Sequence, residues 1–264
     1  MTFRKTYLAA ILAALLVPVG ALANGIDPAV EFYSANRAAN PIVLDGDLSE
    51  WTGISVIENP EFGLGADGVD GGATFEPWDG GTWTGPADQS SNIQITWDDD
   101  NVYLGLVVTD DYHENAANSG WNGDSAQIHI ANDARDTQVA LYNYALGGVE
   151  GATGDVVIQH EAGPGGTDAV VTRSGTTTTY EIQFPKASIN LADLSAGVEL
   201  GIGMAINDGD EGEPGQRGWG GLGPHALVFG KTPSETALVT LVPEPSTGLS
   251  LLAMSAILFL RRKR

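Results

Sequence analysis

Cysteine is absent from the 264 residues. Disulfide scaffolds, thiolate zinc sites and cysteine nucleophiles are excluded with it. Positive charge is scarce: 12 Lys and Arg stand against 34 Asp and Glu, a net charge of −22. A nucleic-acid surface needs Lys and Arg to replace the counterions of phosphate, so this balance argues against one. The four histidines, His113, His129, His160 and His225, lack metal-ligand spacing. There is no Gly-x-Ser-x-Gly, no His-Glu-x-x-His and no phosphate-binding loop, so no motif supports catalysis. A glycosidase needs two carboxylates at a set separation, and 34 acidic residues make any one pair uninformative. Also missing are an amphipathic helical period of three turns and an internal repeat of fixed length.

What is present points to strands. Hydrophobic residues make up 42%, enough to bury a core, and 35 glycines with only 17% charged residues favour a turn-rich β-protein. Ile93, Ile95 and Trp97 share one face of a period-2 run, as do Val102, Leu104, Leu106 and Val108. Ala126, Ile128 and Ile130 alternate with Gln127 and His129; Tyr180, Ile182 and Phe184 alternate with Glu181 and Gln183. Val198, Leu200, Ile202, Met204 and Ile206 form a further run. Gln138–Tyr144, Val156–Gln159, Ala169–Arg173, His225–Phe229 and Thr236–Leu241 add candidates, and Lys186–Asn190 suits a brief helical turn. Together they predict an all-β fold: a single antiparallel β-sandwich, jelly-roll-like, over residues 24–241. Glu58–Gly85 is a Gly-rich insertion carrying Phe62, Phe75, Trp78 and Trp83; these tryptophans can simply anchor it.

The two ends read as addresses. Met1–Ala23 has a short basic start, an apolar run Tyr7–Val19 and Ala21-Leu22-Ala23, the pattern of a secretory signal peptide with a cleavage site. At the other end, Val242-Pro243-Glu244-Pro245-Ser246 precedes the apolar stretch Gly248–Leu260 and then Arg261, Arg262, Lys263 and Arg264. Residues 242–264 closely resemble the PEP-CTERM sorting signal of Gram-negative bacteria. The resemblance implies Pro243, Glu244 and Pro245 as the recognition motif, and an exosortase that cuts near it and moves the protein to the cell exterior. The expected route is export through the Sec pathway with signal peptidase, then a transient inner-membrane anchor, then the cell surface or medium. An N-terminal signal helix and a C-terminal hydrophobic helix would flank the sandwich, and contact with the membrane would be limited to the C-terminal segment. An ordinary C-terminal anchor is the alternative.

A second resemblance covers residues 42–241. Leu44-Asp45-Gly46-Asp47-Leu48-Ser49-Glu50-Trp51, Ile95–Leu104 with its Trp-Asp-Asp-Asp-Asn turn, and Thr109-Asp110-Asp111 stand in order. Trp121–Ile128, Tyr180–Pro185, and Gly201–Asp210 followed by Arg217, Gly218 and Trp219 continue it. This order resembles family 9 carbohydrate-binding modules, which implies a β-sandwich acting on polysaccharide without catalysis. In that family paired tryptophans clamp a terminal sugar; the matching positions are Trp121 and Trp219, with Arg217 as a hydrogen-bond partner. Aromatic faces stack on the apolar faces of a sugar ring and polar side chains bond its hydroxyls. Gln127 and His129, on the polar side of their strand, and Asn207 join the candidate ligand set. Trp51 and Trp97 suit core packing. The sequence departs from the family at Gln127, where an acidic residue is usual, and in the Gly-rich insertion.

Related modules often hold structural calcium, and calcium takes oxygen ligands. Asp98, Asp100, Asp110, Asp208 and Asp210 are the candidate ligands, against solvated turn carboxylates as the alternative. The run Asp98–Asn101 can equally be a tight reversal between strands. Two other functions compete with sugar binding: a structural surface or biofilm-matrix sandwich, and a haem-binding one using Met204 beside Gly201 and Gly203. Met204 falls in phase with core residues, which disfavours the latter.

Overall fold

A computed structural model describes the protein over residues 32–58, 75–223, 226–228 and 230–244. The expected signal segment 1–23, the apolar stretch and basic tail, Pro245, Phe62 and His225 lie outside the described residues. Among the described residues no helix is long and apolar enough to cross a membrane.

The period-2 runs become strands because alternation puts one apolar face against a core. β4 (Gln89–Trp97) and β5 (Asn101–Asp110) form a hairpin, β11 (Thr177–Pro185) pairs with β5, and β10 (Asp168–Ser174) pairs with β11. The short β2 (Val56–Glu58) lies on the far side of β4. A second group runs through β14 (Ala237–Val242), β12 (Glu199–Asp210), β7 (Ser125–Ala131), β8 (Gln138–Val149) and β9 (Ala152–Ala162). Around it sit β3 (Glu76–Pro77), β6 (Glu114–Asn115) and β13 (Glu213–Gly220). β1 (Phe32–Arg37) joins the groups. Its Phe32–Asn36 run parallel to β14, and its last two residues run parallel to Thr96 and Trp97 at the end of β4.

The fold is therefore all-β, a continuous sheet curled on itself, and it is mixed rather than purely antiparallel. The correction falls on β1, whose sequence FYSANR carries no clean alternation. The expected strand at His225–Phe229 is also corrected: Ala226–Val228 form a turn. Lys186–Ile189 is the brief helical turn, a 3-10 one, closed by Asn190 in the left-handed region.

Ile93, Leu104, Leu106, Ile182 and Phe184 face Ile128, Tyr142, Tyr144, Ile202 and Met204, all buried. Tyr142 stacks on Phe184 with centroids 6.1 Å apart, while Tyr144 meets the same ring edge-on, so aromatics tie the two halves. Each such buried side chain contributes roughly 1.5–3 kcal/mol. Trp51 and Trp97 are buried too. Glu181 holds Trp51 through its indole N–H at 3.0 Å and accepts the backbone N–H groups of Asp45 and Gly46.

Asp98 and Asp100 serve the hairpin, and among the described residues they stand outside the groups of three side chains that could hold an ion. The Asp98 carboxylate accepts the N–H groups of Asp100 and Asn101 and the Tyr103 hydroxyl, each at 2.8 Å. Asp100 pairs with Lys186 at 2.9 Å. Beyond β14 the chain stays against the domain, with Arg37 lying 3.5 Å from Glu244.

Candidate functional site

The outer face of the second group carries the polar partners of the core residues. Ile128 and Ile130 of β7 point inward, so Gln127 and His129 point outward. Register then sets Gln127 opposite Asn143 of β8, and Asn143 opposite Gln159 of β9. On the other side Asn207 of β12 stands opposite Ser125 and Trp219. A hydrogen-bonded row crosses these strands. Gln216 Nε2–H donates to Asn207 Oδ1 at 2.5 Å, and Asn207 Nδ2–H to Gln127 Oε1 at 3.3 Å. Gln127 Nε2–H donates to Asn143 Oδ1 at 3.3 Å, and Asn143 Nδ2–H to Glu161 Oε1 at 2.5 Å.

Above this row opens a cleft of about 660 Å³. Trp78, Trp121 and Trp219 supply its aromatic walls, with Gln127, Gln159, Glu161 and Gln216 as polar lining and Leu227, Val228 and Lys231 along one side. Trp78 is 51% exposed and Trp121 44%, whereas Trp219 is only 4% exposed. The Trp219 ring does not stand open between Gly218 and Gly220, because Trp78 covers it, centroids 5.8 Å apart. Gly218 instead admits β3, since a Cβ there would lie 2.1 Å from the Phe75 ring.

Arg217 is not among the lining residues of the cleft. Its guanidinium donates to the Asp79 carbonyl at 2.8 Å and the Pro214 carbonyl at 3.0 Å, and pairs with Asp79 and Glu213. The Arg217 carbonyl accepts the Trp78 N–H at 2.7 Å. Arg217 thus fixes the Trp78 turn and does not reach the ligand position expected of it. His129 is corrected in the same way. It is fully buried, 2.8 Å from the Ala226 carbonyl, under the segment that carries Leu227. That segment also covers Gly203 beside Met204, where a Cβ would lie 2.8 Å from Ala226, while Gly201 is covered by Thr236, Ala131 and Arg135. With Met204 fully buried in the core, the haem arrangement has no open face.

Where β5 and β12 end and β7 begins, a buried acidic cluster gathers. Asp110, His113 and Asp124 bring their ligand atoms within 4.8 Å of one another, as do Asp88, Asp208 and Asp210. Asp124 accepts the N–H groups of Glu114 and Gly209, both at 2.7 Å. Burial first, then the neighbouring carboxylates, pushes Asp110 up to about 10 and Asp208 up to about 9. Burial also lifts Asp124 well above the usual carboxylate range. His113 Nε2 lies 2.9 Å from the Leu146 carbonyl, which only accepts, so Nε2 carries the proton and Nδ1 faces the Asp124 carboxyl at 3.0 Å. Burial lowers the His113 pKa. Asp208 Oδ2 is buried without a hydrogen-bond partner. The all-oxygen set Asp88, Asp208 and Asp210 matches the donors calcium takes; the set with an imidazole does not. Of these candidate ligands, Asp110, Asp208 and Asp210 stood out in the sequence, whereas Asp88, His113 and Asp124 did not. Asp124 could have been found from the Asn-Gly-Asp-Ser turn before a strand.

Gln159, Glu161 and Gln216 also escaped sequence reading, and so did Trp78 as a wall of the cleft, because the Gly-rich insertion has no periodicity to place it. Its signal was composition alone: an aromatic between Pro77 and Asp79-Gly80.

A family model described as carbohydrate family 9 binding domain-like matches residues 71–222, more than half of the chain. Two solved structures share the fold, both of a family 9 carbohydrate-binding module from Caldicellulosiruptor kristjanssonii, in complex with glucose and with cellotriose. Each is 13% identical in sequence. The glucose complex has a TM-score of 0.60 and covers 80% of this chain and 96% of its own; the cellotriose complex has 0.58, with 81% and 95%. No curated protein matches the chain. These neighbours are binding modules, which accords with a non-catalytic domain. The chain belongs to the carbohydrate family 9 binding domain-like family.

Proposed function

We propose that this is an exported protein whose β-sandwich binds polysaccharide without catalysis in the cleft of Trp78, Trp121 and Trp219. The observation that carries the reading is the meeting of exposed indole faces with a row of carboxamides in one cleft. Stacking on the rings and hydrogen bonds to hydroxyls are the two interactions a pyranose requires. The similar modules in complex with glucose and cellotriose support it. Because Trp78 and Trp219 touch each other, the faces open to a ligand are those of Trp78 and Trp121. Affinity electrophoresis through gels of different polysaccharides tests the reading. Trp121→Ala is expected to lose retention with its thermal midpoint unchanged. A chain that no glycan retards would leave the structural matrix role as the better account.

Calcium belongs to the same proposal, held by Asp88, Asp208 and Asp210, and supported by the unpartnered Asp208 oxygen. The ion would neutralise carboxylates that otherwise repel, and would hold the turn leading to Trp219 through β12 and β13. Export rests on the two end segments: Met1–Ala23 as signal peptide, then residues 242–264 as the exosortase sorting signal. Mass spectrometry of the surface form should show that residues after about Pro245 are gone. Arg264 retained there would refute processing.

A further inference from the structure

The row of carboxamides has a direction, and Glu161 sets it. A carboxylate only accepts hydrogen bonds, so the Asn143 atom facing it at 2.5 Å is the NH2 group. That turns Asn143 Oδ1 toward Gln127 and makes Gln127 the donor there. Gln127 Oε1 then faces Asn207, which donates, and Asn207 Oδ1 faces the Gln216 NH2 group. Every link donates toward Glu161. The groups left over at the two ends of the row are acceptors: the second oxygen of Glu161 and the Gln216 carbonyl. Both residues line the cleft, and Glu161 is exposed to it. Lys231, the cation among the described lining residues, donates one of its three N–H groups to the Leu227 carbonyl at 3.0 Å, which holds its ammonium toward that carbonyl.

An exposed carboxylate beside two exposed indole faces is the chemistry that recognises an ammonium group. The carboxylate supplies a charge-assisted hydrogen bond and the rings a cation–π attraction. The net charge of −22 adds long-range attraction for cations and repulsion of polyanions. We propose that the cleft selects glycans carrying a free ammonium, amino sugars without an N-acyl group, and that Glu161 is the residue that sets this selectivity. The inference rests on the reading of the cleft as a glycan site.

Titration calorimetry of the full-length chain tests it with four oligosaccharides of equal length. These are a glucosamine oligomer, its N-acetylated form, a cello-oligosaccharide and an oligogalacturonate. The glucosamine oligomer is expected to bind about tenfold more tightly than the two neutral ones, and the oligogalacturonate most weakly. Glu161→Gln keeps an acceptor for Asn143 but removes the charge. It should reduce the glucosamine oligomer's advantage over the cello-oligosaccharide from about tenfold to about one. Equal affinities in the unaltered protein would overturn the selectivity while leaving glycan binding in place. A Glu161→Gln loss shared by all ligands would mean that Glu161 only holds the row together, and would also overturn it. Failure of all four to bind would overturn the glycan reading itself.

Discussion

Arg217 has the charge and sequence position of a ligand contact, yet the carbonyls of Asp79 and Pro214 and two carboxylates occupy its donors. His129 has the outward direction of a ligand contact, yet a covering segment seals it. Sequence places His129 on the correct face of its strand and names Arg217 by motif alone, but it cannot show what packs around either. The burial of His129 has a consequence for stability. Its folded-state pKa lies below the ordinary value of about 6.5, first because burial disfavours the imidazolium. The unfolded chain therefore takes up a proton at higher pH than the folded one. Stability from this neutral histidine is present above about pH 6.5 and is lost as pH falls through the folded value. His129→Gln should flatten the fall in denaturation midpoint below about pH 6.5, with the buried His113 left to account for the rest. An unchanged slope would rule out His129 as a contributor.

At the scale of elements, strands with period-2 alternation were legible, and those without it were not. β5, β7, β11 and β12 alternate and lie where the pattern puts them. β13, with the sequence EPGQRGWG, reads as a loop because Pro and Gly disfavour strands. It forms because β12 extends past the core and offers an edge, with a register shift at Asp208–Asp210. β1 forms through pairing with both neighbours, which local sequence does not encode. Trp97 secures that junction. Its indole N–H lies 3.1 Å from both the Ala35 and Val242 carbonyls, tying β4 to β1 and β14. Trp97→Phe keeps an aromatic ring but leaves those acceptors without their donor. Urea denaturation should show a loss of about 1–3 kcal/mol, with glycan retention unchanged. Loss of retention at equal stability would contradict the separation of seam and cleft.

At the scale of the molecule, buried carboxyls from distant parts of the chain gather together. Asp88, Asp110, Asp124 and Asp208 come from separate segments and meet only in the folded chain, so spacing along the sequence could not reveal their grouping. A cation that binds this arrangement and not the unfolded chain raises stability by mass action. Calcium at roughly 100 times its dissociation constant would add about 2.7 kcal/mol. The thermal midpoint should rise with calcium and fall on chelation, and Asp208→Asn should abolish the response. A midpoint indifferent to calcium would remove the ion from the account. The cleft shows the same limit of legibility: Trp121 and Gln127 were readable from their motifs, but Trp78 reaches them through an insertion that has no pattern. The central claim is that indole faces in this cleft hold a glycan. Its most direct test is the retention of the unaltered chain, Trp78→Ala and Trp121→Ala on one cognate polysaccharide gel. The account predicts retardation of the unaltered chain and its loss in both variants with folding intact. Undiminished retardation of both variants would contradict it.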